Sequence, residues 1–352
     1  MNAVPSEFSN PLIAWYLQNK RELPWRQTKD PYKIWLSEIM LQQTRVEQGL
    51  PYYLKFTARF PEVKDLAEAS EQEVLKLWQG LGYYSRARNL HATAKYVAYD
   101  LNGQFPNNYG ELKKLKGVGD YTASAIASIC FDEAAAVVDG NVYRALSRSF
   151  GIDTPIDSSA GQKEFKTLAQ ELIDKLRPGT FNQAIMEFGA RLCTPKNPDC
   201  EHCFFADRCV ARAQDKISAL PVKKGKIKVT KRYFNYLIAQ SPQHKTILQQ
   251  RTAKGIWHKL YEFPNLETEQ PATVKDIKSS SLFGQIFSAD AEADPIRYND
   301  KAVVHKLSHQ HLEITFWIIP TTIEPEGAIS AEELREFPVP VVLERFINSY
   351  GF

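Results

Sequence analysis

The chain has 352 residues, 43% hydrophobic and 24% charged, which is enough apolar material for two packed cores and nothing like a low-complexity or fibrous composition. Its net charge of +3 is unevenly spread: residues 1–230 carry 31 Lys+Arg against 26 Asp+Glu, and residues 231–352 carry 13 against 15, a balance that permits a polyanionic partner for the first part without requiring one. The longest apolar runs fall well short of a membrane span and the opening MNAVPSEFSNPLIAWY lacks the charged start and apolar core of a signal peptide, so a cytosolic protein without a membrane partner is expected.

Residues 8–190 read as successive helices. DPYKIWLSEIMLQQT, SEQEVLKLWQGL, YYSRARNLHATAKYVAYDL and TASAIASICF carry apolar residues at spacings of three and four, with Pro31, Pro61, Gly80, Gly82, Pro106, Gly117 and Gly119 as breakers. In the first of these runs Glu38 shares a helical face with Ile34 and Leu41. A carboxylate on an apolar stripe is costly unless it has a partner or a task, and desolvation would make it a proton donor near neutral pH. The competing reading is a surface glutamate on a half-exposed helix.

Next comes LKGVGDYTA. Gly117-Val118-Gly119 between two helical patterns is either a plain turn or a hairpin whose glycines bring free amides and a helix N-terminus up to a phosphate. Further on, AVVDGNVYRALSR places Asp139 between an apolar run and a helical one, the position of an ordinary N-cap aspartate. Of five cysteines, Cys130 lies in an apolar helical run as a small core residue, while Cys193, Cys200, Cys203 and Cys209 are spaced C-x6-C-x2-C-x5-C. An odd, clustered set in a cytosolic chain argues for metal over disulfides. Zinc sites pair two short hooks and only one is present, so a cubane iron–sulfur cluster fits the loop better and structural zinc is the alternative.

The basic stretch 216–230 reads as a linker between a first domain, 1–215, and a second, 231–352. In the second, YFNYLIAQ, KTILQQ, KAVVHKLS and HLEITFWIIP are strand-like, and ISAEELREF and VPVVLERFINSY helical, giving an α+β domain.

Hairpin, Val-Asp-Gly-Asn-Val-x-Arg and four-cysteine loop, in that order, resemble the helix-hairpin-helix, or endonuclease III, superfamily of DNA glycosylases. LPWR at 23–26, SEIMLQQTRV at 37–46 and GLGYYSRARNL at 80–90 resemble more closely its adenine DNA glycosylase (MutY) family, and KGIWHKLYEFPNLE resembles that family's Nudix-like C-terminal domain. The resemblance implies an all-α helix-hairpin-helix domain with a [4Fe–4S] cluster on Cys193, Cys200, Cys203 and Cys209, followed by an α+β Nudix-like domain. The Gly-x5-Glu-x7-Arg-Glu-x2-Glu-Glu run of a working Nudix hydrolase is missing from the sequence, so nucleotide hydrolysis is not expected.

The same resemblance implies a base-excision enzyme, monomeric and associated with the bacterial nucleoid. Its partner would be double-stranded DNA containing an adenine:8-oxoguanine mispair. Glu38 falls on the proton donor, Asp139 on the carboxylate that steadies the sugar cation, and Tyr121 and Asn141 on positions flanking that centre. Trp25, Arg26 and Gln183 fall on the adenine pocket, with Glu187 read as structural. Gln43, beside Gln42, falls on the wedge that fills the vacated stack, and Tyr83 on the aromatic that enters next to the oxidised guanine. The hairpin Gly117-Val118-Gly119 would hold DNA phosphate. Leu307-Ser308-His309 stands where the family has Phe-Ser-His to read 8-oxoguanine, and Leu307 departs from that pattern. Bifunctional relatives carry a lysine nucleophile where this chain has Tyr121, which cannot form an imine. The alternatives are a glycosylase/lyase and a non-enzymatic iron–sulfur DNA-binding module.

Overall fold

A computed structural model describes residues 5–225, 229–290 and 292–352. Residues 226–228 of the expected linker lie outside the described residues. The helical part contains α1 (Pro5–Asn19), α2 (Pro31–Met40), α3 (Val46–Arg59), α4 (Val63–Glu68), α5 (Glu71–Leu77), α6 (Ser85–Lys95), α7 (Tyr109–Leu112), α8 (Asp120–Phe131), α9 (Gly140–Phe150), α10 (Ser159–Leu172), α11 (Pro178–Arg191) and α12 (Val210–Ala213). Short 3₁₀ turns occupy Pro24–Arg26 and Ala206–Arg208. The rest contains β1 (Thr230–Gln240), β2 (Gln249–Gln250), β3 (Tyr261–Glu262), β4 (Asn265–Thr268), α13 (Val274–Lys278), α14 (Ser281–Phe287), β5 (Ile296–Arg297), β6 (Val303–Lys306), β7 (Gln310–Pro320), α15 (Ala331–Glu336) and α16 (Val341–Tyr350). The expected all-α and α+β parts are both present. No helix is long and apolar enough to cross a membrane among the described residues.

The chain divides into two compact units, 1–68 with 89–225 and 69–88 with 226–352. In the first, local sequence sets each helix end. Asp30 caps α2 by accepting from Tyr32 N at 2.9 Å, with Pro31 at the first helical position. Ile34, Trp35, Leu36, Ile39 and Met40 bury α2 on nearly every side, and Glu38, 7% exposed, goes in with them. The competing surface reading of Glu38 is therefore excluded. Helix α8 is small-residue-rich and buries Thr122 through Ile129. Helix α11 packs closely on α9 at Gly189, where a Cβ would stand 2.7 Å from Asn141 Cβ.

In the second unit β1 and β7 run parallel in register from Thr230↔Gln310 to Gln240↔Pro320, β4 flanks β1, and β5 and β6 flank β7. Alternation sorts the side chains by face. Leu237, Ala239, Trp317 and Ile319 pack against Ile277 of α13 and Phe287 of α14. On the other face Phe316 stacks on Phe346 of α16 with ring centroids 4.0 Å apart.

Candidate active site

A cavity of about 670 Å³ opens in the first unit, lined among others by Trp25, Arg26, Glu38, Gln43, Tyr121, Asp139, Asn141, Arg144, Gln183, Met186 and Glu187. Seven residues singled out from sequence for catalysis or base recognition thus reach one hollow from five separate elements. Helix α2 brings Glu38, α8 Tyr121, the start of α9 Asp139 and Asn141, α11 Gln183, and the 3₁₀ turn Trp25 and Arg26.

Burial pushes the Glu38 carboxyl up to about 7, with the charge of Asp139 acting in the same direction and the Tyr121 hydroxyl and Arg26 acting against it. That hydroxyl oxygen also lies 3.0 Å from Met186 Sδ. Asp139 is the N-cap of α9: Oδ1 accepts from Asn141 N at 2.9 Å and Val142 N at 2.8 Å, while Oδ2 accepts from Asn141 Nδ2 at 2.9 Å. The cap reading and the chemical reading therefore describe the same side chain. Burial raises its pKa, and the hydrogen bonds from Val142 and Asn141 oppose the rise. Asn141 is aligned in turn by Arg144, whose Nη2 donates to Asn141 Oδ1 at 2.9 Å and to Gly189 O at 2.6 Å, and whose Nε donates to Cys193 O at 2.7 Å.

Glu187 behaves differently. Burial pushes its carboxyl up, but hydrogen bonds from Arg21 and Arg26 outweigh this and hold it at about 2. Arg21 Nη2 and Arg26 Nη2 both donate to Oε2 at 2.7 Å. It is a fixed anion that organises two arginines. Arg21 and Met186 escaped the sequence reading, and Arg144 entered it only as the last residue of the Val-Asp-Gly-Asn-Val-x-Arg motif, because nothing local marks a side chain that will meet a distant carbonyl, carboxylate or hydroxyl.

The hairpin has one glycine that geometry requires. Gly117 has φ 81°, and a Cβ there would stand 2.8 Å from Asn89 Cβ. Gly119 differs from expectation, since its φ of −88° is open to any residue; it is the N-cap of α8 and supplies no side chain to cap it. A Cβ at Gly119 would meet nothing within 4 Å, so the amides at this end stay approachable. Gln42 Nε2 donates to Thr122 Oγ1 at 3.1 Å, tying the end of α2 to α8, whereas Gln43, held at φ 56°, faces the cavity.

In the second unit Tyr83 is 47% exposed with φ 49°, which rules out a core aromatic. Its hydroxyl lies 2.9 Å from Ser308 Oγ. Leu307, Ser308 and His309 form the turn between β6 and β7, closed by Leu307 N donating to Gln310 O at 2.8 Å, with Ser308 and His309 exposed.

Cys193, Cys200, Cys203 and Cys209 line one small void of about 20 Å³ together with Arg148 and Phe205. Among the described residues no group of three or more His, Cys, Asp or Glu is placed to hold one metal ion. Four cysteine thiols gathered on one void are a ligand set that an iron–sulfur cluster takes. Arg148 Nη1 lies 3.6 Å from Cys193 Sγ, where a cation offsets the negative charge that four thiolates bring. The same guanidinium donates to Thr194 O at 2.7 Å.

Comparison with known proteins agrees with this arrangement. Residues 36–175 match the HhH-GPD superfamily base excision DNA repair protein family, residues 193–209 the iron-sulfur binding domain of endonuclease III, and residues 235–349 the NUDIX domain. The adenine DNA glycosylase of Buchnera aphidicola subsp. Schizaphis graminum is 33% identical over 317 residues, covering 90% of this chain and 87% of that one. The adenine DNA glycosylase of Rattus norvegicus is 34% identical over 404 residues, covering 97% and 78%. A solved thermostable thymine-DNA glycosylase superposes with a TM-score of 0.56 at 30% identity, over 60% of this chain and 97% of its own. Fold, cavity and cysteine loop together define a base-excision DNA glycosylase of the helix-hairpin-helix class, with an iron–sulfur loop and a Nudix-like C-terminal domain. Within that class, the chain belongs to the adenine DNA glycosylase family.

Proposed function

We propose that this protein hydrolyses the N-glycosidic bond of adenine mispaired with 8-oxoguanine or guanine in duplex DNA and leaves the strand uncut. The observation that carries the reading is the pair of carboxyl groups, Glu38 and Asp139, opening onto one cavity in unlike surroundings. A stacked base hides its glycosidic bond, so adenine must first swing out of the duplex into the cavity. Trp25 offers an apolar wall there, and Arg26 and Gln183 a polar edge. Glu38, protonated up to about pH 7, gives its proton to adenine N7. The C–N bond then breaks with its electron pair going to the neutral base.

The sugar cation left behind faces Asp139, whose oxygens are held in place by Asn141 and Val142. Asp139 steadies the oxocarbenium ion, in a retaining-type course in which water completes the hydrolysis. Tyr121, placed where a lyase has its amine, supports Glu38 and forms no covalent link to the sugar. When bound, the [4Fe–4S] group on Cys193, Cys200, Cys203 and Cys209 serves as a cross-link that shapes the loop. In the second unit Tyr83 and the turn Leu307–His309 form the surface that reads the base opposite adenine; in the first, Gln43 fills the gap in the stack.

The test is product analysis on duplexes that differ only in the base facing adenine. Free adenine should appear faster opposite 8-oxoguanine than opposite thymine, strands should stay intact until alkali is added, and borohydride should trap no protein–DNA adduct. A trapped adduct, or equal rates opposite 8-oxoguanine and thymine, would contradict the proposal.

A further inference from the structure

The polar edge of the cavity rests on a side chain that lies outside it. Tyr16 of α1 is 3% exposed and is not part of the cavity lining. Its hydroxyl donates to Gln183 Oε1 at 2.5 Å, and its ring lies 5.5 Å from the Arg26 guanidinium. Both of those partners line the cavity.

A glutamine amide has an acceptor end and a donor end of nearly the same shape, so an unrestrained side chain can present either. Here the phenol decides. A buried hydroxyl proton needs an acceptor. The Arg26 guanidinium beside it has donors and no acceptor, and it is turned to Arg21 O at 3.1 Å and Glu187 Oε2 at 2.7 Å. Glu187 is in turn occupied by Arg21, which reaches Oε1 from its backbone N at 3.1 Å and from Nε at 2.9 Å. Gln183 Oε1 supplies the acceptor, and turning the amide over would leave the phenol proton facing an NH₂ group. With Oε1 held, Nε2 is the end turned to the cavity.

We infer that Tyr16 is a positioning residue for base recognition: its hydroxyl fixes the Gln183 amide so that Nε2 is offered as a donor to a ring nitrogen of the extruded base. The inference rests on the proposed reading of the cavity as an adenine pocket. It goes beyond that reading by assigning the orientation of Gln183 to a residue that never touches the substrate.

A double-mutant cycle on the full-length, cluster-loaded protein tests it. Tyr16→Phe keeps the ring and removes only the hydroxyl. Single-turnover adenine release should fall about 10-fold, while affinity for the uncleaved duplex stays unchanged. In a Gln183→Leu background the same Tyr16→Phe step should cost nothing further, because the amide it orients is gone. An equal cost in both backgrounds would show that Tyr16 acts elsewhere and would overturn the inference while leaving the proposed function standing. Absence of adenine release from the unsubstituted protein would overturn both. Gln183→Leu alone gives a check that does not depend on Tyr16→Phe folding: release should fall by at least the same factor, and full activity would overturn the inference.

Discussion

Glu38 and Glu187 line the same cavity and titrate in opposite directions. Burial dominates at Glu38, which rises to about 7, whereas at Glu187 two arginines override burial and hold the group at about 2. Only Glu38 can therefore carry a proton at neutral pH. Its folded-state pKa lies above the ordinary 4.5, so the folded protein holds the proton more tightly than the unfolded chain does. The stability linked to that proton is complete below about pH 4.5 and is lost as pH rises through about 7, amounting to about 3 kcal/mol at the upper end. Glu38→Gln keeps the shape and removes the ionisation. Thermal melts should therefore show the variant matching the parent at pH 4 and exceeding it at pH 8, even as adenine release is lost. A melting difference that does not change with pH would mean that Glu38 is not desolvated in the folded protein.

Element by element, the sequence was informative where local chemistry decides and silent where distant chain does. The three-and-four spacing exposed α2, α5, α6 and α8, where apolar residues recur at every turn. The long strands β1 and β7 were legible because each carries a run rich in aromatic, β-branched and other apolar residues, YFNYLIA in β1 and ITFWII in β7. Helices α13 and α14 and strands β3, β4 and β5 were missed, whereas β2 lies inside the strand-like KTILQQ. They are short, and α13 buries only Ile277, so no period can form. Left-handed backbone at Gln43 and Tyr83 was also unreadable, since neither is the glycine that normally announces it. Asp139 shows how an element and a site can share one residue. Asparagine caps helices about as well as aspartate but cannot ionise. Asp139→Asn should accordingly keep α9, shifting unfolding free energy by no more than about 1 kcal/mol, while adenine release falls at least about 100-fold. A parallel loss of helicity and activity would assign Asp139 to capping alone.

At the scale of the whole molecule, the chain leaves its first compact unit after Glu68 and returns at Asn89. The excursion is bound into the C-terminal unit by polar ties. Lys76 Nζ donates to Phe337 O at 3.1 Å, Val339 N donates to Gln79 Oε1 at 3.0 Å, Arg88 Nη1 donates to His258 O at 2.8 Å, and Lys259 pairs with Glu71. Most of these involve backbone groups on loops, which leave no signature in sequence, so a boundary drawn at 216–230 by composition gives no hint of them. The grouping places Tyr83 and the turn 307–309 in one compact unit, and Glu38 and Asp139 in the other. Leu237, fully buried among Trp317, Ile319 and Phe287, offers a way to loosen only the first of these. Leu237→Ala should cost about 2–5 kcal/mol. Hydrogen exchange on the full chain should then quicken across 69–88 in step with β1 and β7, while α8 and α9 keep their protection. If residues 69–88 instead keep their protection along with α8, the segment is held by the helical unit, and the proposed opposite-base reader is not one body with its aromatic.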